Sequence, residues 1–468
     1  SLKFLVIGIP ILVLIIGISS LNWRRSVQAV LVLVVLEGAL RKWVLPQASD
    51  LLYFLKDFVL LGAYIRYYGF SIFERKTIKN NFLFSLIFVT SGWCFFQALN
   101  PSLGSPIAGI FGLKIYLFYI PLIWMLPNLF QSEEELYTFL RAYFLLAIPT
   151  GIIGIVQFFS PADSFINFYA PGEVKNVATF GVNTSVRVTG TFSYIGSYGA
   201  YLMVCFGLLI AMLNIKQSFF WRFSTIVALL LVIINSLMNG SRNVVFALIL
   251  FLIGYLGIKI LTQASSTLRL LKQFLLPVLI IAIAGYLWFQ PAIDSFALRT
   301  TKNNDVHGRI TTTFQEPFWF IHYKELDGYG TGATHPATQS LRRTLNLPSG
   351  ESVPQVYEPE PGRIMLELGP IGFFFWYLLR LSLIVNIWLV FLKLKRPWLK
   401  ELALASFLIQ AIQLYNLLVF NQAFSIYYWF ISGFIFLLPQ LEENENWRTE
   451  IESQQNVLSS YFSDSSYR

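Results

Sequence analysis

The chain has 468 residues, of which 56% are hydrophobic and 13% are charged, and its formal net charge is +9. Soluble domains carry about 25% charged residues, so this composition excludes an ordinary soluble domain and indicates an integral membrane protein. The two cysteines, Cys94 and Cys205, lie inside apolar runs, which argues against a disulfide framework or a zinc site built from thiolates.

Apolar runs of about 20 residues, the length that a helix needs to cross a bilayer, recur along the chain. The first run lacks a small-residue cleavage site and is expected to be a retained helix. Ser132 and Glu135 form a capping box before a later run. The sequence predicts an all-α, polytopic membrane protein with about 12–13 transmembrane helices, near residues 4–19, 26–45, 51–69, 82–99, 109–130, 136–159, 197–214, 219–238, 243–261, 273–290, 369–392, 401–419 and 423–441.

Most lysines and arginines of the short connections fall in one set of alternate connections, which includes Arg24, Lys76, Lys216 and Arg396. Positive charge is retained on the cytoplasmic side of a membrane. This set is therefore expected to be cytoplasmic, and the two long polar segments are expected to face outward. The net charge is mainly an orientation signal, and no nucleic-acid partner is expected.

Two long polar segments divide the helices into three groups, and neither contains an internal repeat. The C-terminal tail is rich in charged residues and is expected to be poorly ordered. The predicted organisation is N-terminal transmembrane helices over 1–159, an outer loop over 160–196, central transmembrane helices over 197–290, a large extracytoplasmic loop over 291–368, C-terminal transmembrane helices over 369–441 and a cytoplasmic tail over 442–468.

Four arginines stand near the predicted outward ends of helices: Arg187, Arg242, Arg309 and Arg363. An arginine at the bilayer centre costs about 3 kcal/mol on insertion scales. Guanidinium groups bind phosphate through paired hydrogen bonds and stay charged. We therefore predict an anion site. The alternative is that each arginine extends to the membrane surface or pairs with a carboxylate.

Three stretches between residues 187 and 372 carry a resemblance through their order and spacing. They are "RVTGTFSYIGSYGAYL", "NGSRNVVFALIL", and "GYGTGATH" followed by "LELGPIGFFFWYLL". With these stretches the chain resembles the O-antigen ligase and polymerase superfamily, a group of bacterial membrane glycosyltransferases. The resemblance implies a GT-C-like membrane fold, in the inner (plasma) membrane, with a site that faces the periplasm or exterior.

The resemblance also implies the reaction. A polyprenyl diphosphate-linked oligosaccharide would donate its glycan to a sugar hydroxyl with inversion, without metal or cofactor. Arg187 and Arg242 would bind the diphosphate, with Arg309 and Arg363 as further candidates. A polymerase is favoured, and a ligase to a lipid or protein acceptor is the first alternative. Membrane lipids are expected partners, and the sequence leaves open whether a chain-length regulator binds.

The predicted base departs from the family pattern, in which a histidine precedes the Glu-x-Gly-x-x-Gly helix by about nine residues. The corresponding position from Glu367 is Glu358, with Glu360 nearby. A carboxylate serves as a general base when burial raises its pKa. Glu358 is therefore the first candidate, followed by Glu360 and Glu367. Glu367 alternatively pairs with Arg363 at four-residue helical spacing.

The large loop carries all three histidines, at spacings that match no compact zinc motif, so no metal is expected. Within "GYGTGATH", Tyr329 and His335 are expected to line the acceptor site. The aromatic stretch "TTTFQEPFWFIHYKEL" has two interpretations. It either lies in the membrane interface as an amphipathic segment or forms the core of a loop subdomain.

Charged residues also fall inside predicted spans. Glu37 and Arg41 are four residues apart and are expected to pair. Lys56, Asp57 and Arg380 either bridge helices or form a proton or ion pathway. The second interpretation supports a further alternative function, transport of a small solute or a lipid-linked sugar.

Overall fold

The computed structural model describes residues 2–70, 80–171, 176–180, 185–262, 289–302, 306–354 and 359–465. Within these ranges the chain is 79% helix and has no strand, which confirms the predicted all-α class. The helices are α1 (Leu2–Leu21), α2 (Trp23–Ala39), α3 (Ser49–Tyr53), α4 (Leu55–Tyr64), α5 (Asn81–Ala98), α6 (Pro106–Leu117), α7 (Leu122–Leu129), α8 (Glu133–Phe144), α9 (Ala147–Phe159), α10 (Ile195–Leu213), α11 (Phe219–Met238), α12 (Arg242–Thr262), α13 (Gln290–Lys302), α14 (Val306–Lys324), α15 (Pro336–Leu345), α16 (Glu360–Lys393), α17 (Pro397–Ile412), α18 (Gln422–Ser432) and α19 (Phe434–Ser465).

Seven helical stretches in the described part of the chain are long and apolar enough to cross a membrane, which makes this a multi-pass membrane protein. An eighth forms if α6 and α7, bent by 40°, are one span. Pro121 precedes α7, and proline cannot continue a helix without losing a backbone hydrogen bond. The seven stretches are Asn81–Ala98, Glu133–Phe159, Ile195–Leu213, Phe219–Met238, Arg242–Thr262, Glu360–Lys393 and Gln422–Gln455.

Two other predicted spans, near 26–45 and 51–69, are broken into shorter helical pieces, and the total of about 12–13 stays a prediction. α2 passes into a π-helical turn over Leu40–Val44, and α4 passes into another over Ile65–Phe70. The first turn is closed by the bond from the Leu45 N–H to the Leu40 carbonyl, 2.8 Å long. The predicted span near 273–290 lies almost entirely outside the described residues.

The interior of the bundle is formed mainly by α10 and by the α18–α19 stretch. In each of them 83% of the best membrane-length window is buried inside the protein. α12 buries only 33% of its window. Phe88 and Phe219, at 80% and 86% exposure, are apolar side chains on the outer surface of the bundle. Such surfaces are expected to face lipid.

Contacts between connections respect the sides predicted from charge. On the predicted cytoplasmic side, Arg396 pairs with Glu133 at 3.0 Å. On the predicted outer side, the side-chain amide of Asn421 donates to the Gly196 carbonyl at 3.2 Å. Each contact joins two connections that the sequence predicts on the same side of the membrane. The structure is thus consistent with the predicted alternation of the connections between the two sides.

The C-terminal tail differs from the expectation of a poorly ordered end. α19 continues from the bundle through the charged stretch to Ser465. The Glu442 carboxylate accepts hydrogen bonds from the backbone N–H groups of Lys395 and Arg396, 2.7 and 2.6 Å long. These bonds hold the first polar turns of the extension against the connection between α16 and α17.

Candidate functional site

Residues 187–192, which include the predicted Arg187, form a non-helical segment ahead of α10, and its last five residues are buried. Buried backbone groups need hydrogen-bond partners. The Gln157 side-chain oxygen accepts from the Thr189 and Gly190 N–H groups at 3.0 and 2.8 Å. The Lys42 ammonium donates to the Gly190 carbonyl at 2.9 Å. Side chains from α9 and the first π-helical turn therefore hold the segment in place.

Asn239, at the end of α11, binds the same segment. Its side-chain amide donates to the Val188 and Ile195 carbonyls, both at 3.0 Å. Its own carbonyl accepts from Nε of Arg187 at 3.0 Å. The end of α11 and the start of α10 are thus joined through one asparagine, and the Arg187 side chain is oriented by this junction.

The break at Asn-Gly-Ser-Arg has a steric explanation. Gly240 has φ +66°, in the left-handed region that favours glycine. A Cβ at Gly240 would lie 3.0 Å from Nε of Arg187 and 2.9 Å from the Phe180 ring. Position 240 therefore requires glycine, because glycine adopts the conformation that ends α11 and leaves room for the Arg187 side chain. α12 then begins at Arg242.

Three arginines form a basic cluster at this point: Arg187, Arg242 and Arg299. Burial lowers the pKa of Arg187 to about 10, and the positive charges of Arg299 and Arg242 contribute to the decrease. All three side chains are half-buried. Arg299 also donates to the Phe180 carbonyl at 3.4 Å. The structure therefore brings two of the four predicted anion-binding arginines together and adds one.

Arg299 was not among the residues predicted from the sequence. It lies on α13, within the range that the sequence predicts to be the large extracytoplasmic loop. Its position soon after a predicted span at the outer surface is the signal that could have identified it, because a basic residue there would lie at headgroup depth. Arg309, the third predicted arginine, lies on α14, and its side chain is outside the described part of the structure.

The "GYGTGATH" loop packs against α16. Gly328, Gly330 and Gly332 have φ values of +69°, +91° and +80°, which other residues adopt only with strain. The Tyr329 and Gly330 N–H groups donate to the Leu366 and Glu367 carbonyls at 2.7 and 3.0 Å. The glycines thus allow the loop to follow the last turn of α16 before that helix is interrupted at Gly369, which has φ +67°.

Glu367 holds this loop. Its fully buried carboxylate accepts from the N–H groups of Gly332 and Thr334 at 2.9 and 2.8 Å. It also accepts from the Thr334 hydroxyl at 2.7 Å and the Tyr116 hydroxyl at 2.8 Å. Four donors on one carboxylate are typical of a structural group. The predicted pairing with Arg363 and the predicted role as a base stay predictions.

Glu360 is also engaged by protein donors. Its carboxylate pairs with Arg380 at 2.8 Å and accepts from the N–H groups of Val419, at 2.9 Å, and Leu418. Both side chains of the ion pair are fully buried. The pair therefore neutralises itself and fixes the connection between α17 and α18. Glu358, the first candidate base, lies outside the described residues.

His335 and Arg363 lie near each other, and both contact the ring of Phe420. The His335 ring stacks on Phe420 with centroids 5.8 Å apart, and the Arg363 guanidinium lies 4.8 Å from the centre of the same ring. Nδ1 of His335 accepts from the Ala337 N–H at 3.1 Å. Burial and the positive charges of Lys114 and Arg363 lower the pKa of His335 to about 3. The imidazole is therefore neutral near pH 7 and carries its proton on Nε2.

A short path of contacts connects His335 and Arg363 with the basic cluster. Tyr194 lies close enough to Arg187 to affect its pKa. Two residues further on, the Gly196 carbonyl accepts from Asn421 at 3.2 Å, and Asn421 directly follows Phe420. The predicted residues thus fall into two neighbouring groups, one around Arg187 and one around His335.

Tyr329 does not join either group. Its buried ring packs in a small apolar cluster with Phe320, Met365 and Leu366. Phe320 belongs to the aromatic stretch of α14, so this stretch contributes to the cluster, and both interpretations of the stretch stay predictions. Other aromatic side chains of the stretch are 50–69% exposed: Phe314, Phe318, Trp319 and Tyr323.

The charged residues inside the N-terminal helices form ion pairs. Arg41 pairs with Glu37 at 3.3 Å, which confirms the prediction, and Lys56 pairs with the same carboxylate. Lys114 pairs with Asp57 at 2.7 Å. The Lys56 and Lys114 pairs thus connect helices, as the bridging interpretation predicts, and Arg380 connects α16 to the end of α17 by donating to the Gln413 carbonyl at 2.7 Å.

No family model matches this chain, and no curated protein sequence matches it.

Proposed function

We propose that this protein is a bacterial membrane glycosyltransferase that moves an oligosaccharide from a polyprenyl diphosphate-linked donor to a sugar hydroxyl, acting as a polysaccharide polymerase. The observation that carries the proposal is the basic cluster of Arg187, Arg242 and Arg299 beside a fixed non-helical segment. Guanidinium groups that lie close together suit an anionic ligand, since each offers paired donors to phosphate oxygens.

A diphosphate suits this cluster. Guanidinium groups bind phosphate oxygens in pairs of parallel hydrogen bonds. Arg242 is also the first residue of a 21-residue helix, whose N-terminus favours negative charge. Transfer of the glycan would release polyprenyl diphosphate, and stabilising its developing charge lowers the barrier. The basic cluster would supply that stabilisation without metal or cofactor.

The acceptor hydroxyl would need a base. Glu360 and Glu367 are occupied by protein donors, so Glu358 stays the first candidate. His335, whose pKa is lowered to about 3, is a poor proton acceptor near pH 7. Its Nε2–H would instead donate a hydrogen bond to a substrate oxygen. Attack from the face opposite the leaving diphosphate would invert the anomeric centre.

The proposed location follows from orientation. The charge bias of the connections would place the basic cluster on the outer side of the inner membrane. A lipid-linked donor would then approach from the outer leaflet, with its diphosphate at headgroup depth. Arg363, whose charge acts on His335 and whose guanidinium lies over Phe420, would add positive charge on the acceptor side of the reacting bond.

The experiment is transfer by the purified protein in nanodiscs, supplied with its own polyprenyl diphosphate-linked repeat unit and no metal or nucleotide sugar. Products longer than one repeat are the result expected for a polymerase. Transfer only after a separate lipid or protein acceptor is added would indicate a ligase. A donor that is never consumed with any acceptor would overturn the proposal and favour the transport alternative.

A further inference from the structure

A cavity of about 860 Å³ lies between α14, Tyr329 and residues 352–354. Four aromatic side chains line it, together with a carboxylate: Trp319, Phe320, Tyr323, Tyr329 and Glu316. Ligand pockets of this size with mainly aromatic walls and a few polar groups are typical of small-molecule sites. None of these side chains belongs to the basic cluster.

The cavity has a buried floor and an open wall. Glu316, Phe320 and Tyr329 are at most 7% exposed and form the floor. Trp319 and Tyr323 are each 55% exposed and form the wall. The Thr312 and Ser352 hydroxyls add polar groups. A ligand would thus meet aromatic faces, hydroxyls and a buried carboxyl group in one place.

We propose that this cavity binds the sugar residues of the acceptor glycan, an inference that rests on the proposed glycosyltransferase function. Sugars combine apolar C–H faces, which pack on aromatic rings, with hydroxyl groups, which donate to carboxylates. A lipid chain fits less well, because it would cover the Thr312 and Ser352 hydroxyls of the lining without offering them a hydrogen bond.

The cavity lies directly beside the candidate site. A Cβ at Gly362 would lie 2.6 Å from Oε2 of Glu316 and 2.8 Å from the Phe320 ring, so this glycine packs against the floor. The next residue, Arg363, lies over Phe420 and close to His335. The first turn of α16 therefore separates the cavity from the candidate site. A glycan in the cavity would end near the reacting centre.

The test combines glycan binding with transfer kinetics. Delipidated repeat-unit oligosaccharide, released from the donor by mild acid, is titrated into wild type and into Trp319→Ala and Glu316→Gln. Phe318→Ala is the matched control, because Phe318 lies on the same helix, is 69% exposed and is outside the cavity lining. We expect the two cavity variants to bind the oligosaccharide about tenfold more weakly. Their acceptor KM should rise with little change in kcat.

The outcomes separate this inference from the proposed function. If wild type transfers glycan and Trp319→Ala behaves like Phe318→Ala in both assays, the cavity inference is wrong and the function stands. If wild type binds the oligosaccharide through Trp319 but never transfers glycan, the cavity is a sugar site and the acceptor role fails. Binding of a fluorescent fatty acid in place of the oligosaccharide, lost in Trp319→Ala, would also overturn the inference.

Discussion

Nε of Arg187 donates to the Asn239 carbonyl at 3.0 Å. This bond joins the two sequence motifs that suggested an anion site, although 52 positions separate the residues. It also explains why a glycine follows Asn239, since any side chain at Gly240 would meet the arginine. The geometry of the proposed diphosphate site therefore depends on the end of α11 as much as on the arginines.

Arg187→Lys should lower the rate of glycan transfer. Arg187→Lys keeps the charge but loses Nε and the planar pair of donors. We expect transfer to fall by about tenfold to a hundredfold, and loss of the Nε bond to the buried Asn239 carbonyl should lower the free energy of unfolding by about 1–3 kcal/mol. The measurement is the transfer rate in nanodiscs at saturating donor. Arg25→Lys, at an exposed position on the other predicted side, should be neutral. Equal rates for both variants would remove Arg187 from the site.

Asn239→Leu should destabilise the protein. The variant removes two hydrogen bonds and leaves the buried Val188 carbonyl without its side-chain donor. A loss of about 1–3 kcal/mol is expected for each buried group left unsatisfied. Thermal unfolding in detergent measures it. Asn243→Leu, at an exposed position of α12, is the control and should leave the midpoint within a degree or two.

Gly332→Ala should be costly for two reasons. The residue has φ +80°, and an added Cβ would lie 2.9 Å from the Gly112 Cα. A strained position of this kind costs about 1–3 kcal/mol. Gly257→Ala meets no atom within 4 Å on α12 and should be neutral or slightly stabilising. A Gly332→Ala protein as stable as Gly257→Ala would show that the loop tolerates other conformations.

Stability should depend on pH through His335. Its pKa is lowered to about 3 in the folded protein, against 6.5 as the ordinary value. The unfolded chain therefore binds a proton that the folded chain does not, and stability falls as pH decreases from about 6.5. His335→Asn keeps a helix-capping side chain and should flatten the fall. Unfolding midpoints between pH 8 and 4 test this: parallel curves for the two proteins would contradict it.

Glu360 and Glu358 should respond differently to replacement by glutamine. Glu360→Gln leaves Arg380 buried without its counter-charge, and breaking such a pair costs about 3–5 kcal/mol. Glu358→Gln should lower transfer and leave stability unchanged. Paired measurements of unfolding and transfer decide between a structural and a catalytic carboxylate. Full stability of Glu360→Gln would contradict the structural assignment.

Short sequence patterns correctly predicted contacts between residues that are close together in the chain. The Ser132 hydroxyl accepts from the Glu135 N–H at 3.1 Å, as the capping box predicts, and Glu37 pairs with Arg41 one turn away. Contacts between distant residues were beyond such patterns. Glu367 binds Tyr116 across 251 positions, and the proximity of Arg299 to Arg187 depends on the packing of α13. Neither follows from spacing along a helix.

The measurement that tests the central claim most directly is polymer formation by Arg242→Ala against Arg222→Ala. Arg242 belongs to the basic cluster, whereas Arg222 is exposed on α11 on the opposite predicted side. With lipid-linked repeat units in nanodiscs, we expect wild type and Arg222→Ala to make products longer than one repeat and Arg242→Ala to make almost none. Polymer from Arg242→Ala at the wild-type rate would contradict a diphosphate site at the basic cluster.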